Sequence, residues 1–174
     1  MKPSIGNPIE YIFIHHTAVS YKQNPDQWDQ TNTFHKSMWN FKSSLGIFVG
    51  YTYEISASGF VRQARAEGEE TAAVIGFNRK SVSICLDGNF DIEKPTLAQV
   101  KALRTLIINI MARTNVPITN VLPHRSECGT PPYKTCYGSQ LSNTWAQDIV
   151  LKPAEFGITD DQSLGSEQVI ERDC

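Results

Sequence analysis

Hydrophobic and polar positions along this 174-residue chain follow two alternating periods. Short β-branched and aromatic runs bounded by polar, Gly or Pro residues predict strands near 10–15, 48–55, 60–64, 81–87 and 118–122. Val100, Leu103, Leu106, Ile107, Ile110 and Met111 instead recur three and four residues apart, the apolar stripe of a helix from about Leu97 to Thr114. Thr96 and Gln99, following Pro95, stand where a capping box would start it. Pro25 to Asn40 carries Trp28, Phe34, His35, Met38 and Trp39 and predicts a second helix with its apolar side on the sheet. Thr144 to Leu151 predicts a shorter last helix. The remainder, 152–174, is polar and acidic beyond Ile158, and is expected to be a loosely packed tail or linker after a domain spanning 1–151.

Strand, helix, two or three strands, long helix, strand, loop and helix, in that order, predict an α/β fold: one domain with a central mixed β-sheet flanked by helices. The chain is long enough to bury a core without disulfide staples. A net charge of -2 argues against a dominant electrostatic attachment to nucleic acid or to an anionic membrane. No run approaches the ~20 apolar residues of a membrane-spanning helix, so no membrane insertion is expected. Met-Lys-Pro-Ser-Ile-Gly-Asn-Pro at the start has neither the apolar core nor the cleavage site of a signal peptide, and synthesis in the cytoplasm is the expectation. The cysteines at 85, 128, 136 and 174 form no closely spaced pairs and predict no disulfide framework. A monomer is expected.

Candidate chemistry comes from three scattered side chains. His15 ends the apolar run Tyr11-Ile12-Phe13-Ile14, while His124 and Cys136 lie in a stretch from Pro123 to Gly138 too rich in Pro and Gly for helix or central strand. Two imidazoles and one thiolate satisfy three positions of zinc and keep the fourth open, the layout of a catalytic site. Singly, each has an ordinary reading too: a hydrogen-bonded strand-end histidine, or a small buried hydrophobe. The neighbouring His16 points to the opposite face of a strand from His15. His35, in the aromatic helix, reads as structural and Cys85 as a packing residue. Cys128 can be a competing ligand, a disulfide partner or a spectator.

Four blocks resolve the alternatives for the trio: Ile12-Phe13-Ile14-His15-His16-Thr17-Ala18, Gly50-Tyr51-Thr52-Tyr53-Glu54-Ile55, Gly76-Phe77-Asn78 running into Ser81-Val82-Ser83-Ile84-Cys85-Leu86, and His124-Arg125 with Lys134-Thr135-Cys136. In that order, over about residues 10 to 150, the chain resembles the zinc-dependent N-acetylmuramoyl-L-alanine amidases of the type-2 family, which includes phage lysozyme-type amidases and peptidoglycan recognition proteins. The resemblance implies a Zn2+ cofactor held by His15, His124 and Cys136 in a groove on one face of the sheet. It implies catalytic assistance from Tyr51 and Lys134, and peptidoglycan or a muropeptide as the bound partner.

Three departures bear on the substrate. Ala73 stands where many members have a groove histidine, so a substrate contact is either missing or supplied by His16 or Arg65, beside Asn78 of the Gly-x-Asn element. Cys85 replaces the Glu of wall-recycling members, as in phage-type ones. Cys136 follows His124 by twelve positions, more than in phage-type relatives, through an insertion carrying Cys128 and Pro131-Pro132. The implied function is hydrolysis of the amide between N-acetylmuramic acid and L-alanine by a phage-type endolysin acting on cell wall after release. The alternative is a non-catalytic peptidoglycan recognition module, a class that often loses the cysteine ligand retained here. A protein that regulates a partner is a third class.

Overall fold

Alternate residues of one strand divide the molecule. β1 (Tyr11–His16) sends Ile12 and Ile14 to one side and Phe13 and His15 to the other, and all four are buried. The computed structural model describes residues 1–159. Around β1 lie β2 (Tyr53–Ile55), β3 (Val61–Gln63), β4 (Ser81–Leu86) and β5 (Val121–Pro123), and the α-helices are α1 (Trp28–Trp39), α2 (Leu97–Thr114) and α3 (Trp145–Leu151).

The sheet runs β3-β2-β4-β1-β5. β1 pairs in parallel with β4 and β5, β2 in parallel with β4, and only β2–β3 is antiparallel, which makes the sheet mixed as expected. The register sets Glu54 opposite Cys85 and Cys85 opposite His15, so polar and reactive side chains line up across three strands. One residue along, Tyr53, Ile84 and Ile14 line up on the other side.

That other side is the main core. Ile12, Ile14, Tyr53, Ile55, Val82, Ile84 and Leu86 pack against Leu103, Leu106, Ile107 and Ile110 of α2 and Trp145, Ala146 and Ile149 of α3. Each fully buried aliphatic contributes about 1.5–3 kcal/mol relative to exposure. α2 spans Leu97–Thr114 with the expected capping box: Gln99 N donates to Thr96 Oγ1 and Thr96 N to Gln99 Oε1, both at 3.1 Å. It ends at Asn115 in the left-handed region.

α1 covers part of the opposite side with Trp28, Thr31 and His35. Trp28 joins Val49 and Ala64 in a smaller cluster with Ile47 and Tyr51 packed on it.

β2 and β5 begin several residues later than expected. The run 48–55 pairs regularly only over Tyr53–Ile55, because Gly50 directs its N–H to His35 Nδ1 (2.8 Å) and its carbonyl to Ala72 N (2.9 Å). A β-carbon at Gly50 would lie 2.5 Å from the Ala72 carbonyl oxygen, so this crossing needs glycine. β5 begins at Val121 because Ile118–Asn120 form a 3-10 turn after Pro117. Past α3 the chain forms another 3-10 turn, Pro153–Phe156, and Ile158 is 3% exposed in the core, so the first part of the expected tail is packed. The rest of that tail, from 160 onward, lies outside the described residues.

Candidate metal and catalytic site

The end of β1 and the segment after β5 deliver the three expected ligands to one place. His15, His124 and Cys136 each present a donor atom, and these atoms all lie within 4.8 Å of one another. The His15 and His124 ring centroids are 4.8 Å apart, and His15 Nδ1 lies 3.9 Å from Cys136 Sγ. Two such donors sharing a tetrahedral zinc would stand roughly 3.6 Å apart.

The loop carrying Cys136 is held by several bonds. Arg125 N donates to Cys136 O (2.6 Å), and the Arg125 guanidinium donates to the carbonyls of Thr135, Gly138 and Leu141. Asp91 accepts from Thr135 Oγ1 (2.9 Å) and Ser139 N (2.7 Å). Gly138 has φ +120, and a β-carbon there would meet the Phe90 backbone at 2.6 Å, so only glycine lets the loop close on the segment after β4.

The donor set fits a metal ion. Burial drives the His15 pKa well below its ordinary value, with the neighbouring His124 adding to the effect. Burial, then the Lys134 charge, lowers His124 to about 4. Both rings are therefore neutral at physiological pH, as ligands must be. Burial pushes the Cys136 thiol up to about 12 despite the His16 N–H donated to it, so the thiolate needs a cation beside it. Nε2 of His15 is buried without a hydrogen-bond partner, which leaves that ring positioned by packing and by what its other nitrogen binds.

The cluster lies in a cavity of about 710 Å³, whose lining includes Tyr51, Ala73, Asn78, Tyr133 and Lys134. Tyr51 leans on His15 with ring centroids 5.0 Å apart, and burial, then Cys85, raises its pKa well above the usual phenol value, so it is a neutral hydroxyl. Lys134 is exposed at the rim with Nζ 5.9 Å from the Tyr133 ring.

The three expected substrate-contact residues part company. Asn78 borders the cavity, but its Oδ1 is engaged by Thr71 Oγ1 and the backbone N–H groups of Ala73 and Val74, so it shapes the wall. His16 also borders it, yet its Nδ1 accepts from Phe90 N (3.0 Å), away from the metal ligands.

Arg65 is placed elsewhere. It is 0% exposed, outside the cavity lining, and donates to the carbonyls of Val49, Glu70 and Phe41 with Glu69 4.0 Å away. A guanidinium carries five N–H donors, and three converging carbonyls accept from it in the interior. The contact expected of Arg65 is corrected accordingly: it staples the segment behind Tyr51. His35 is structural as expected, fixing Gly50 from below. Cys128 is buried, donates to His124 O (3.5 Å) and stands outside the ligand cluster. Cys85, Cys128 and Cys136 are all free thiols.

Trp39, Ile75 and Tyr133 are large exposed apolar residues that line the cavity; Trp39 lies in the aromatic helix read from the sequence, and Ile75 and Tyr133 were not singled out there. Sequence reading also missed Asp91, whose position just past a strand end in Asp87-Gly88-Asn89-Phe90-Asp91 was a usable hint.

A mixed sheet with a two-histidine, one-cysteine cluster on the floor of an open cavity defines a single-domain α/β protein with a possible mononuclear metal site. The chain belongs to the N-acetylmuramoyl-L-alanine amidase family, whose pattern it matches over residues 5–139. It is 27% identical over 153 residues to peptidoglycan-recognition protein SC2 of Drosophila melanogaster, covering 83% of this chain and 78% of that one. It is 28% identical over 147 residues to the endolysin of Enterobacteria phage T3, covering 82% and 89%. Its fold matches the N-acetylmuramoyl-L-alanine amidase LysC from Clostridium intestinale URNW with a TM-score of 0.68 at 21% identity, over 88% of this chain and 91% of that one. Among the described residues no helix is long and apolar enough to cross a membrane.

Proposed function

We propose that this protein is a zinc-dependent N-acetylmuramoyl-L-alanine amidase of the endolysin type, cutting the amide between the lactyl group of N-acetylmuramic acid and L-alanine in peptidoglycan. The observation that carries the reading is the convergence of His15, His124 and Cys136 in one cavity with Tyr51 and Lys134. Retention of the cysteine favours an enzyme over a recognition module.

Zinc, when bound by these three residues, supplies a Lewis acid that polarises the amide carbonyl and activates water. The chain's own residues supply the rest. Neutral His15 and His124 remain available as donors because burial disfavours their protonation. Lys134 carries a positive charge at the open side of the cavity, where it donates to the oxygen that becomes negative as the carbonyl turns tetrahedral. Tyr51, a protonated hydroxyl beside His15, orients the attacking water and passes a proton toward the departing alanine amine. Trp39, Ile75 and Tyr133 offer apolar faces around this centre, suited to the sugar and lactyl carbons. The partner is polymeric wall or a muropeptide, met after release of the protein from the cytoplasm.

Zinc-loaded protein incubated with purified peptidoglycan tests the reading. New alanine α-amino groups, abolished by a chelator and unaccompanied by new reducing sugar ends, are expected. Stoichiometric zinc with no amine release from several peptidoglycan types would instead favour the recognition module.

A further inference from the structure

Behind the cavity floor the sheet buries two carboxyl groups that the chemistry above leaves unused. Glu54 on β2 and Asp87, just past the end of β4, are 2% and 1% exposed. One oxygen of each has a donor: Thr31 Oγ1 donates to Glu54 Oε1 (3.1 Å), and Gln27 N to Asp87 Oδ2 (2.7 Å). The other two, Glu54 Oε2 and Asp87 Oδ1, are buried with no donor; Asp87 N donates to Ile55 O (2.9 Å), one residue on from Glu54, and after burial Asp87 is the largest influence on the Glu54 carboxyl. Ionised carboxylates only accept, so a single proton between the orphaned oxygens is what satisfies both.

The other charged and titratable groups around them leave that proton in place. Asp26, ahead of α1, repels both carboxylates, but it is paired with Arg62 of β3 at 2.7 Å, and Arg62 only partly favours ionisation of Asp87. Cys85 and Tyr51 offer no positive charge. Burial raises Asp87 to about 6 and Glu54 well above the usual carboxylate range, in keeping with one proton retained at neutral pH.

The pair adjoins the active side of the sheet. Glu54 is the register partner of Cys85, and Cys85 and Glu54 are both among the neighbours that raise the Tyr51 pKa. Gln27 and Thr31 belong to the start of α1, so the two carboxyls tie α1, β2 and the end of β4 together beneath Tyr51.

We propose that Glu54 and Asp87 form an acid pair holding one shared proton, and that this pair is a positioning element which, through Cys85, sets where the Tyr51 hydroxyl stands in the cavity. The second half rests on the amidase reading; the first does not. With the shared proton in place the three elements are clamped. Without it two negative charges oppose each other with no spare donor, and β2 separates from the end of β4. Because the folded pKa values are raised, the pair's contribution to stability is full below the unfolded carboxylate range and declines as pH rises through the folded values.

The test uses the full chain, Glu54→Gln, whose amide donates to Asp87 without a titrating proton, and Glu54→Leu, which makes no bond. In chelator, the wild-type Tm is expected to fall as pH rises from about 5 to about 9, and Glu54→Gln to flatten that slope. Loaded with zinc, Glu54→Leu is expected to lose about tenfold or more in kcat at unchanged KM and zinc content, while Glu54→Gln restores kcat and extends activity to higher pH. If Glu54→Leu does not fold, Asp87→Asn serves, its amide donating to Glu54, with the same expected Tm slope and alkaline activity as Glu54→Gln. A Tm slope in Glu54→Gln identical to wild type overturns the shared proton. Wild-type kcat in folded Glu54→Leu, or a wild-type alkaline limb in Asp87→Asn, overturns the positioning role. Zinc-loaded wild type without amidase activity overturns the amidase reading and the positioning role together, and the Tm slopes still decide the acid pair.

Discussion

The two sides of β1 are built from alternate residues of one hexapeptide, yet they obey different rules. Ile12 and Ile14 look into a core in which almost every neighbour is apolar, filled by α2 and α3. Phe13 and His15 look the other way, along a row that contains Ser83, Cys85 and Glu54, with α1 covering only part of it. The first side stabilises the molecule by removing apolar surface from water. The second holds neutral histidines, free thiols and a pair of carboxyls in places that disfavour their charged forms, arrangements that cost stability and make reactive groups available. The division suggests that α2 and α3 carry the fold so that the opposite side can carry the chemistry.

The sharpest break between the two sides is expected from Cys136→Ala. It removes one of the three proposed ligands, and amidase activity should fall by at least about 10³-fold with loss of bound zinc. The Tm in chelator should change little, because Cys136 is not in the main core. Full activity with stoichiometric zinc in this variant would defeat the proposed ligand set.

Leu103→Ala is the converse. Leu103 is fully buried among Ile12, Ile14 and Ile107, and truncation should cost about 2–5 kcal/mol of stability. Denaturant unfolding measures it, and kcat of the folded fraction should stay at the wild-type value. A large fall in kcat would show that the two sides are mechanically coupled.

How much of this division was legible in the sequence depends on which side a residue faces. α2 was readable to its ends, because a six-position apolar stripe and the Thr96–Gln99 box are local signals that tertiary contacts reinforce. The clustering of His15, His124 and Cys136 was readable through motif blocks, not through spacing, since His15 and Cys136 meet only when the chain folds.

Arg65, Glu54 and Asp87 were unreadable for one reason. A charged residue in or beside a short strand is ordinarily solvated, and only the folded backbone shows that carbonyls from Val49, Phe41 and Glu70 surround the arginine. The shortened β2 has a similar origin, because Gly50 gives its hydrogen bonds to His35 and Ala72 instead of a ladder.

Within the chemical side, Tyr51→Phe and Lys134→Ala ask whether catalysis is shared beyond the metal ligands. Each is expected to lower kcat by roughly 10²-fold with zinc content unchanged. Tyr51 stays protonated across the neutral range, so Tyr51→Phe should lower the whole profile without moving its limbs. Equal kcat in either variant and wild type would return that residue to a structural role.

The smallest expected effect distinguishes the sides by titration. His15, His35 and His124 all have depressed folded pKa values with burial as the first cause, His35 and His124 at about 4 against an ordinary 6.5. A depressed histidine binds fewer protons folded than unfolded, so its contribution to stability is full above about 6.5 and is lost as pH falls toward the folded value. In chelator, Tm should therefore decline on acidification from about 6.5 to about 4, opposite in sign to the slope expected from Glu54 and Asp87. Measuring it in Glu54→Gln removes the acid pair and leaves the histidines to set the slope. A flat acid limb in that variant would mean that the rings are solvated well enough to charge in place, and that the metal side of the sheet is less sealed than its partner.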